Sequence, residues 1–120
     1  MDDFSAKPGT PNGYGLIGGD ANAVEGNKRP LSSMSPTMVM KDGKPFIVTG
    51  SPGGSRIINI TLQMIINVID HNLNIAEATA AARMHHQWLP DFIWVEHTLN
   101  RDTISLLEAK GHKVKVQESI

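Results

Sequence analysis

The chain has 120 residues, with 11 Lys and Arg against 12 Asp and Glu and no cysteine. That length suits one domain with a core of its own, burying roughly 65% of the surface of the unfolded chain. A net charge of −1 excludes the electrostatic footprint of a nucleic-acid or acidic-membrane binder, and the missing thiols exclude disulfides, thiolate metal sites and a cysteine nucleophile.

No apolar run approaches the ~20 residues that span a bilayer. The opening "MDDFSAKPGT" is acidic where a signal peptide carries positive charge, and it has no apolar core. From Lys7 to Ser35 the chain is rich in Gly, Pro, Asn and Ser with no sustained period, which predicts an extended loop region. A loop of that length inside a domain is usually a binding loop, a lid or a linker. "TMVMKDGKPFIVTG" then holds two β-prone runs around Asp42-Gly43, the signature of a hairpin with a type I′ turn. After Gly54 the residues Ile57, Ile58, Leu62, Ile65, Ile66, Val68 and Ile69 predict a largely buried helix that stops near Asn72.

Asn74 followed by Glu77 reads as a capping box, and "IAEATAAAR" as a second helix reaching about Arg83. "FIWVE" predicts a strand, "RDTISLLEAK" an amphipathic helix closed by Gly111, and "KVKVQ" a half-exposed strand. The whole is an α+β chain without internal repeats.

Four constellations bear on chemistry. Gly13, Gly15 and Gly18 in "GYGLIGG" match the dinucleotide fingerprint by letter only. That fingerprint needs a strand before and a helix after, whereas Pro8 and Pro11 precede it and Asp20 follows. Tyr14, the only tyrosine, either caps a pocket from this loop or anchors the loop. His85 and His86 are adjacent, without a third ligand, and read as structural rather than metal-binding. Ser32, Ser33 and Ser35, in "RPLSSMSP", either satisfy their own turn or supply paired hydroxyls that donate to a carboxylate.

"SPGGS" lacks the Gly-Lys-Ser/Thr of a phosphate loop. A strand, two glycines and a helix N-terminus instead suit an oxyanion hole built from the amides of Gly53 and Gly54. Close strand-to-helix packing is the other reading of those glycines.

"MDDFS", "NKRPLSSMSP", "TGSPGGSRI" and "RMHHQWLPD", in this order and spacing, resemble the small subunit of bacterial γ-glutamyltranspeptidase, also called glutathione hydrolase. The resemblance runs from Met1 to about Val116. It implies part of the αββα sandwich of an N-terminal-nucleophile hydrolase, truncated at both ends. Residues 1–35 would supply lid and substrate loops, and residues 36–120 a sheet-and-helix part.

In such enzymes an N-terminal threonine, freed by self-cleavage, attacks a γ-glutamyl amide with its own α-amine as base. The acyl group then passes to water or to an acceptor amino acid or peptide. The resemblance implies that Asp3 binds the substrate's α-ammonium, Ser32 and Ser33 its α-carboxylate, and Gly53 and Gly54 the oxyanion, with Tyr14 on the lid. No cofactor and no metal are implied.

The family's threonine belongs upstream of Met1. Thr10, Thr37 and Thr49 cannot replace it, because none offers a free α-amine. The expected partners are a large subunit, which adds an arginine to the carboxylate site, and the earlier part of the small subunit; nucleic acid is not among them. Alone, the chain is expected to be inactive and to self-associate through open sheet edges. The competing expectation is a non-catalytic remnant that holds an amino acid. The implied parent is periplasmic or extracellular. Ala82 stands where the family usually has proline, which implies a helix free to run on.

Overall fold

The structure, a computed structural model, describes residues 4–120. Asp3 therefore lies outside the described residues. The hairpin forms where the sequence places it: β1 (Thr37–Lys41) pairs antiparallel with β2 (Lys44–Thr49). Asp42 and Gly43 both take positive φ, +50° and +75°, as a type I′ turn requires. The register shifts between Val39 and Met40, where Val39 faces Ile47 but Met40 faces Pro45. Proline has no amide to donate, so a local break of the ladder there is expected.

A single 3-10 turn (Gly54–Arg56) leads into α1 (Ile57–Ile69). Next, α2 (Ile75–Ala80) is opened by the predicted capping box: Glu77 N donates to Asn74 Oδ1 at 3.0 Å, and Asn74 N donates to Glu77 Oε2 at 3.1 Å. This helix ends three residues before the expected Arg83, and Ala82 does not extend it. Ala81 turns extended (ψ 138°), and the chain enters a short strand that the sequence analysis did not foresee, β3 (Met84–His85). Pairing with a neighbouring strand overrides the helix propensity of the alanines.

That neighbour is β4 (Ile93–Glu96). It lies antiparallel to β3 and parallel to β5 (Val114–Gln117), giving a second sheet in the order β3-β4-β5. The crossover from β4 to β5 carries α3 (Arg101–Ala109). Its first turn is capped by Asn100, whose Oδ1 accepts from Asp102 N at 2.8 Å. Gly111 at φ +92° ends it, with Gly111 N donating to Glu108 O. The loop region before β1 contains one 3-10 turn, Asp20–Asn22, and is otherwise held by bridges between Ser5 and Ala23 and between Pro11 and Ile17.

The core is thinner than length alone predicts. Its buried apolar residues are Ile47, Ile57, Ile60, Ala78 and Val95. The chain exposes 8274 Å², where a compact monomer of its mass would expose about 6300 Å². The expectation of a largely buried first helix fails for the same reason. Helix α1 touches β2 and β3 and buries Ile57, Ile60 and Thr61, but Ile58, Leu62 and Ile69 face outward. Its apolar stripe is wider than the surface this chain has to cover it.

Candidate functional site

The diglycine corner lies between β2 and α1. Gly53 sits at φ +129° and Gly54 at φ +59°, backbone conformations that a side chain would resist. The corner meets α1 through the 3-10 turn rather than directly, and Arg56 N closes that turn on Gly53 O at 3.2 Å. Among the described residues no acceptor takes the amide hydrogen of Gly53 or Gly54. Gly54 is nevertheless buried. Buried amides in folded proteins are nearly always paired, so an unpaired amide here is an available donor at the positive end of a helix.

What buries Gly54 is Tyr14. A Cβ built on Gly54 would run into the Tyr14 ring at Cζ, Cε1 and Cε2, so the ring lies directly on the corner. The structure thus seats the aromatic of the glycine-rich loop over Gly54, 40 residues further along the sequence by their numbering. Gly15, at φ +76°, turns the loop back under Pro90.

The serine pair arrives on the same side. Ser33 is 6% exposed, and its Oγ donates to Gly54 O at 2.6 Å. Its one proton is therefore engaged in fixing the corner. Ser32 is exposed, and its Oγ accepts from Met34 N at 3.3 Å, a local turn contact. Leu31, Ser32, Ser33, Ser55, His86 and Gln87 line a cavity of about 330 Å³.

Beneath the corner lies a polar network that the sequence analysis did not foresee. Gln87 Nε2 donates to Tyr14 O at 2.7 Å and to Leu89 O at 3.1 Å, while its Oε1 accepts from Ser55 Oγ at 2.9 Å. The same oxygen is 2.9 Å from His85 Nε2, and His85 Nδ1 is 2.6 Å from Asn59 Oδ1 on α1. His85 is 2% exposed and stacks on Trp94 of β4.

Burial lowers the His85 pKa from its ordinary value. The Gln87 hydrogen bond opposes that shift, and the nearby charges of Arg56 and His86 add to it. The ring lies between two side-chain oxygens, Gln87 Oε1 and Asn59 Oδ1, and when neutral it carries one N–H with which to donate to one of them. Both nitrogens of the buried His85 ring thus face side chains of the chain itself. His86 is exposed, 3.3 Å from Asp91.

A buried charge braces β3 against β4. Burial alone would raise the pKa of Glu96, which is 5% exposed. The amides of Ile120 and Arg83 and the Arg83 guanidinium at 2.9 Å outweigh it and hold the carboxyl below the ordinary value.

The α+β fold is that of an N-terminal-nucleophile hydrolase. Within that class the chain belongs to the gamma-glutamyltranspeptidase family, whose family profile matches residues 1–120. It is 68% identical over its full length to the glutathione hydrolase proenzyme of Escherichia coli, covering 21% of that protein. It superposes on the crystal structure of a Helicobacter pylori gamma-glutamyltranspeptidase mutant with a TM-score of 0.94 and 57% identity, covering all of this chain and 65% of that one. The Pseudomonas nitroreducens gamma-glutamyltranspeptidase complexed with L-DON gives 0.87 and 46%, covering 97% and 62%. The chain spans about a fifth of the length of the curated relatives it matches.

Proposed function

We propose that this chain supplies the substrate-reading and oxyanion-stabilising half of a γ-glutamyl acyl-transfer site. The parent would cleave the γ-glutamyl amide of glutathione or a similar compound and pass the acyl group to water, an amino acid or a peptide. The observation that carries the reading is the corner itself: two positive-φ glycines whose amides have no acceptor among the described residues, at the start of a helix, with an aromatic ring on Gly54. Preorganised donors of this kind stabilise the negative charge that develops on a carbonyl oxygen under attack, about 3 kcal/mol for each donor.

The substrate carries a free ammonium and a free carboxylate. Ser32, whose hydroxyl proton meets no acceptor among the described residues, donates to the carboxylate. Ser33 joins it when the charged carboxylate, a stronger acceptor, displaces Gly54 O. Asp3 takes the ammonium, and Tyr14 closes the site.

The nucleophilic threonine, a large subunit with its arginine, and the strands that precede Met1 come from the remainder of the parent enzyme. Residues 4–35 act as its lid and substrate loops. Among the described residues no helix is long and apolar enough to cross a membrane, and the parent acts in the periplasm or outside the cell.

The test is a pair of single variants in a full-length enzyme carrying this segment, assayed with L-γ-glutamyl-p-nitroanilide. Ser32→Ala should raise KM with little change in kcat. Ser33→Ala should raise KM and also lower kcat, because it releases Gly54. An unchanged KM in both would remove the carboxylate assignment.

A further inference from the structure

Gln87 uses all of its hydrogen-bonding capacity at one point of the fold. Both amide hydrogens go to backbone carbonyls, Tyr14 O and Leu89 O, and the oxygen receives Ser55 Oγ and faces His85 Nε2. Two carbonyl partners on one side and a hydroxyl donor on the other leave only one orientation for the amide. It therefore grips the backbone of the residue that lies on Gly54 and, with its other end, the side chain of the residue that follows Gly54.

Among the described residues, the lid loop around Tyr14 has no comparable hydrogen bond elsewhere. The other hydrogen bonds of residues 12–16 close within the loop: Asn12 N to Leu16 O, Gly15 N to Asn12 O, and Tyr14 N and Leu16 N to Asn12 Oδ1. Those bonds shape the loop but do not hold it against the corner. Gln87, 73 residues away in sequence, does so. The base of the clamp is rigid, because His85 beneath it is buried, stacked on Trp94 and bonded to Asn59 of α1. A cavity of about 130 Å³ beside the clamp is lined by Tyr14, Ser55, Arg56 and Gln87 among others.

We propose that Gln87 is a positioning residue that latches the Tyr14 lid over the Gly53–Gly54 corner and retains the substrate there. This rests on the γ-glutamyl-transfer reading of the corner. In a substrate-bound enzyme the latch acts on the lid's closed population, so its loss should appear chiefly in KM, whereas damage to the oxyanion amides should appear in kcat.

The experiment compares Gln87→Glu, Gln87→Met, Tyr14→Ala, the double variant Tyr14→Ala with Gln87→Glu, and Gly54→Ala. All are made in a full-length enzyme carrying this segment and assayed for hydrolysis of L-γ-glutamyl-p-nitroanilide. Glutamate keeps the acceptor for Ser55 and His85 but loses the donors to Tyr14 and Leu89; methionine loses both. The expected result is a fall of about tenfold in kcat/KM, carried by KM, in both Gln87 variants, the size of one or two lost hydrogen bonds. With the lid's ring removed by Tyr14→Ala, the Gln87→Glu change should add little further.

Wild-type kcat/KM in Gln87→Glu, with or without impairment of Gln87→Met, would overturn the latch and place any role of Gln87 in holding Ser55 and His85. Additive losses in the double variant would overturn it too, as would failure of Gln87→Glu to fold, which would make Gln87 a structural residue. If Gly54→Ala keeps the wild-type kcat, the underlying site reading has failed. If Gly54→Ala is impaired while Gln87→Glu is not, only the latch has.

Discussion

The corner offers a test in which the structure separates two effects of adding one methyl group. A Cβ on Gly54 would lie 2.7 Å from Tyr14 Cε1 and 2.9 Å from Cε2, with Cζ nearer still. Carbon atoms rest about 3.5–4.0 Å apart, so the ring has to retreat by about 1 Å or the corner must shift by as much. A Cβ on Gly53 would instead meet Arg56 Cβ at 3.6 Å and Ile60 Cδ1 at 4.0 Å, which is ordinary contact.

Alanine at Gly54 carries the penalty of about 1–2 kcal/mol of a left-handed residue, and alanine at Gly53, at φ +129° and ψ 18° outside that region, carries more; that strain is read in stability, and the ring contact, met only at Gly54, in kcat. A displacement of about 1 Å in a catalytic array costs about a hundredfold in rate. Gly54→Ala in a full-length enzyme carrying this segment should therefore lower kcat for γ-glutamyl-p-nitroanilide about a hundredfold, and Gly53→Ala distinctly less. Equal kcat values for the two, or a wild-type kcat for Gly54→Ala, would refute the reasoning.

Three further outcomes follow from the same contacts. Because the folded Glu96 pKa lies below the ordinary 4.5, its contribution to stability is complete above that value and is lost as pH falls through the folded pKa. Urea unfolding of Glu96→Gln should show a flatter dependence on pH below 4.5 than the parent chain. The His85 pKa is also lowered, from 6.5; its contribution is complete above 6.5 and is lost as pH falls towards the folded value. His85→Gln should remove that slope, and an identical slope in both proteins would count against a buried neutral ring. The hairpin exposes Met38, Met40, Phe46 and Val48 along a two-stranded sheet with open edges, so the chain alone should self-associate at high concentration. Val48→Lys should reduce the apparent mass by light scattering, and a monomeric parent chain would contradict this.

Much of the fold was legible because it is encoded locally. Asp42-Gly43, the Asn74–Glu77 box and Gly111 each state a backbone geometry, and all three appear. What failed depends on distant partners. Strand β3 is two residues long and has no alternation to read, and α2 stops at Ala80 because that strand pairs with β4. The corner, the serine pair and the lid could be named from motifs, but not that Tyr14 lies on Gly54 or that Ser33 donates to its carbonyl. Gln87 gave one usable signal: in an extended segment it shares a side with His85, two residues earlier. Its real significance lies in a bond spanning 73 residues, which no local pattern carries.

The distribution of what is open and what is closed on this chain also says what the rest of an enzyme has to provide. Exposed apolar residues include Met38, Met40, Phe46 and Val48 on the hairpin and Ile58, Leu62 and Ile69 on the outward face of α1, with others on the loop region, α3 and β5, whereas Gly54 is covered from within by Tyr14 and held by Ser33, with Gln87 acting through Ser55. A partner that covers α1 and the hairpin contributes stability and, on the reading proposed here, the nucleophile. The geometry of the two glycine amides already follows from contacts within the chain. On the reading proposed here, variants of the corner should then act alike whatever neighbour covers the apolar face, because the contacts that hold Gly54 come from residues 14 and 33, braced by 55 and 87, and not from the covering layer.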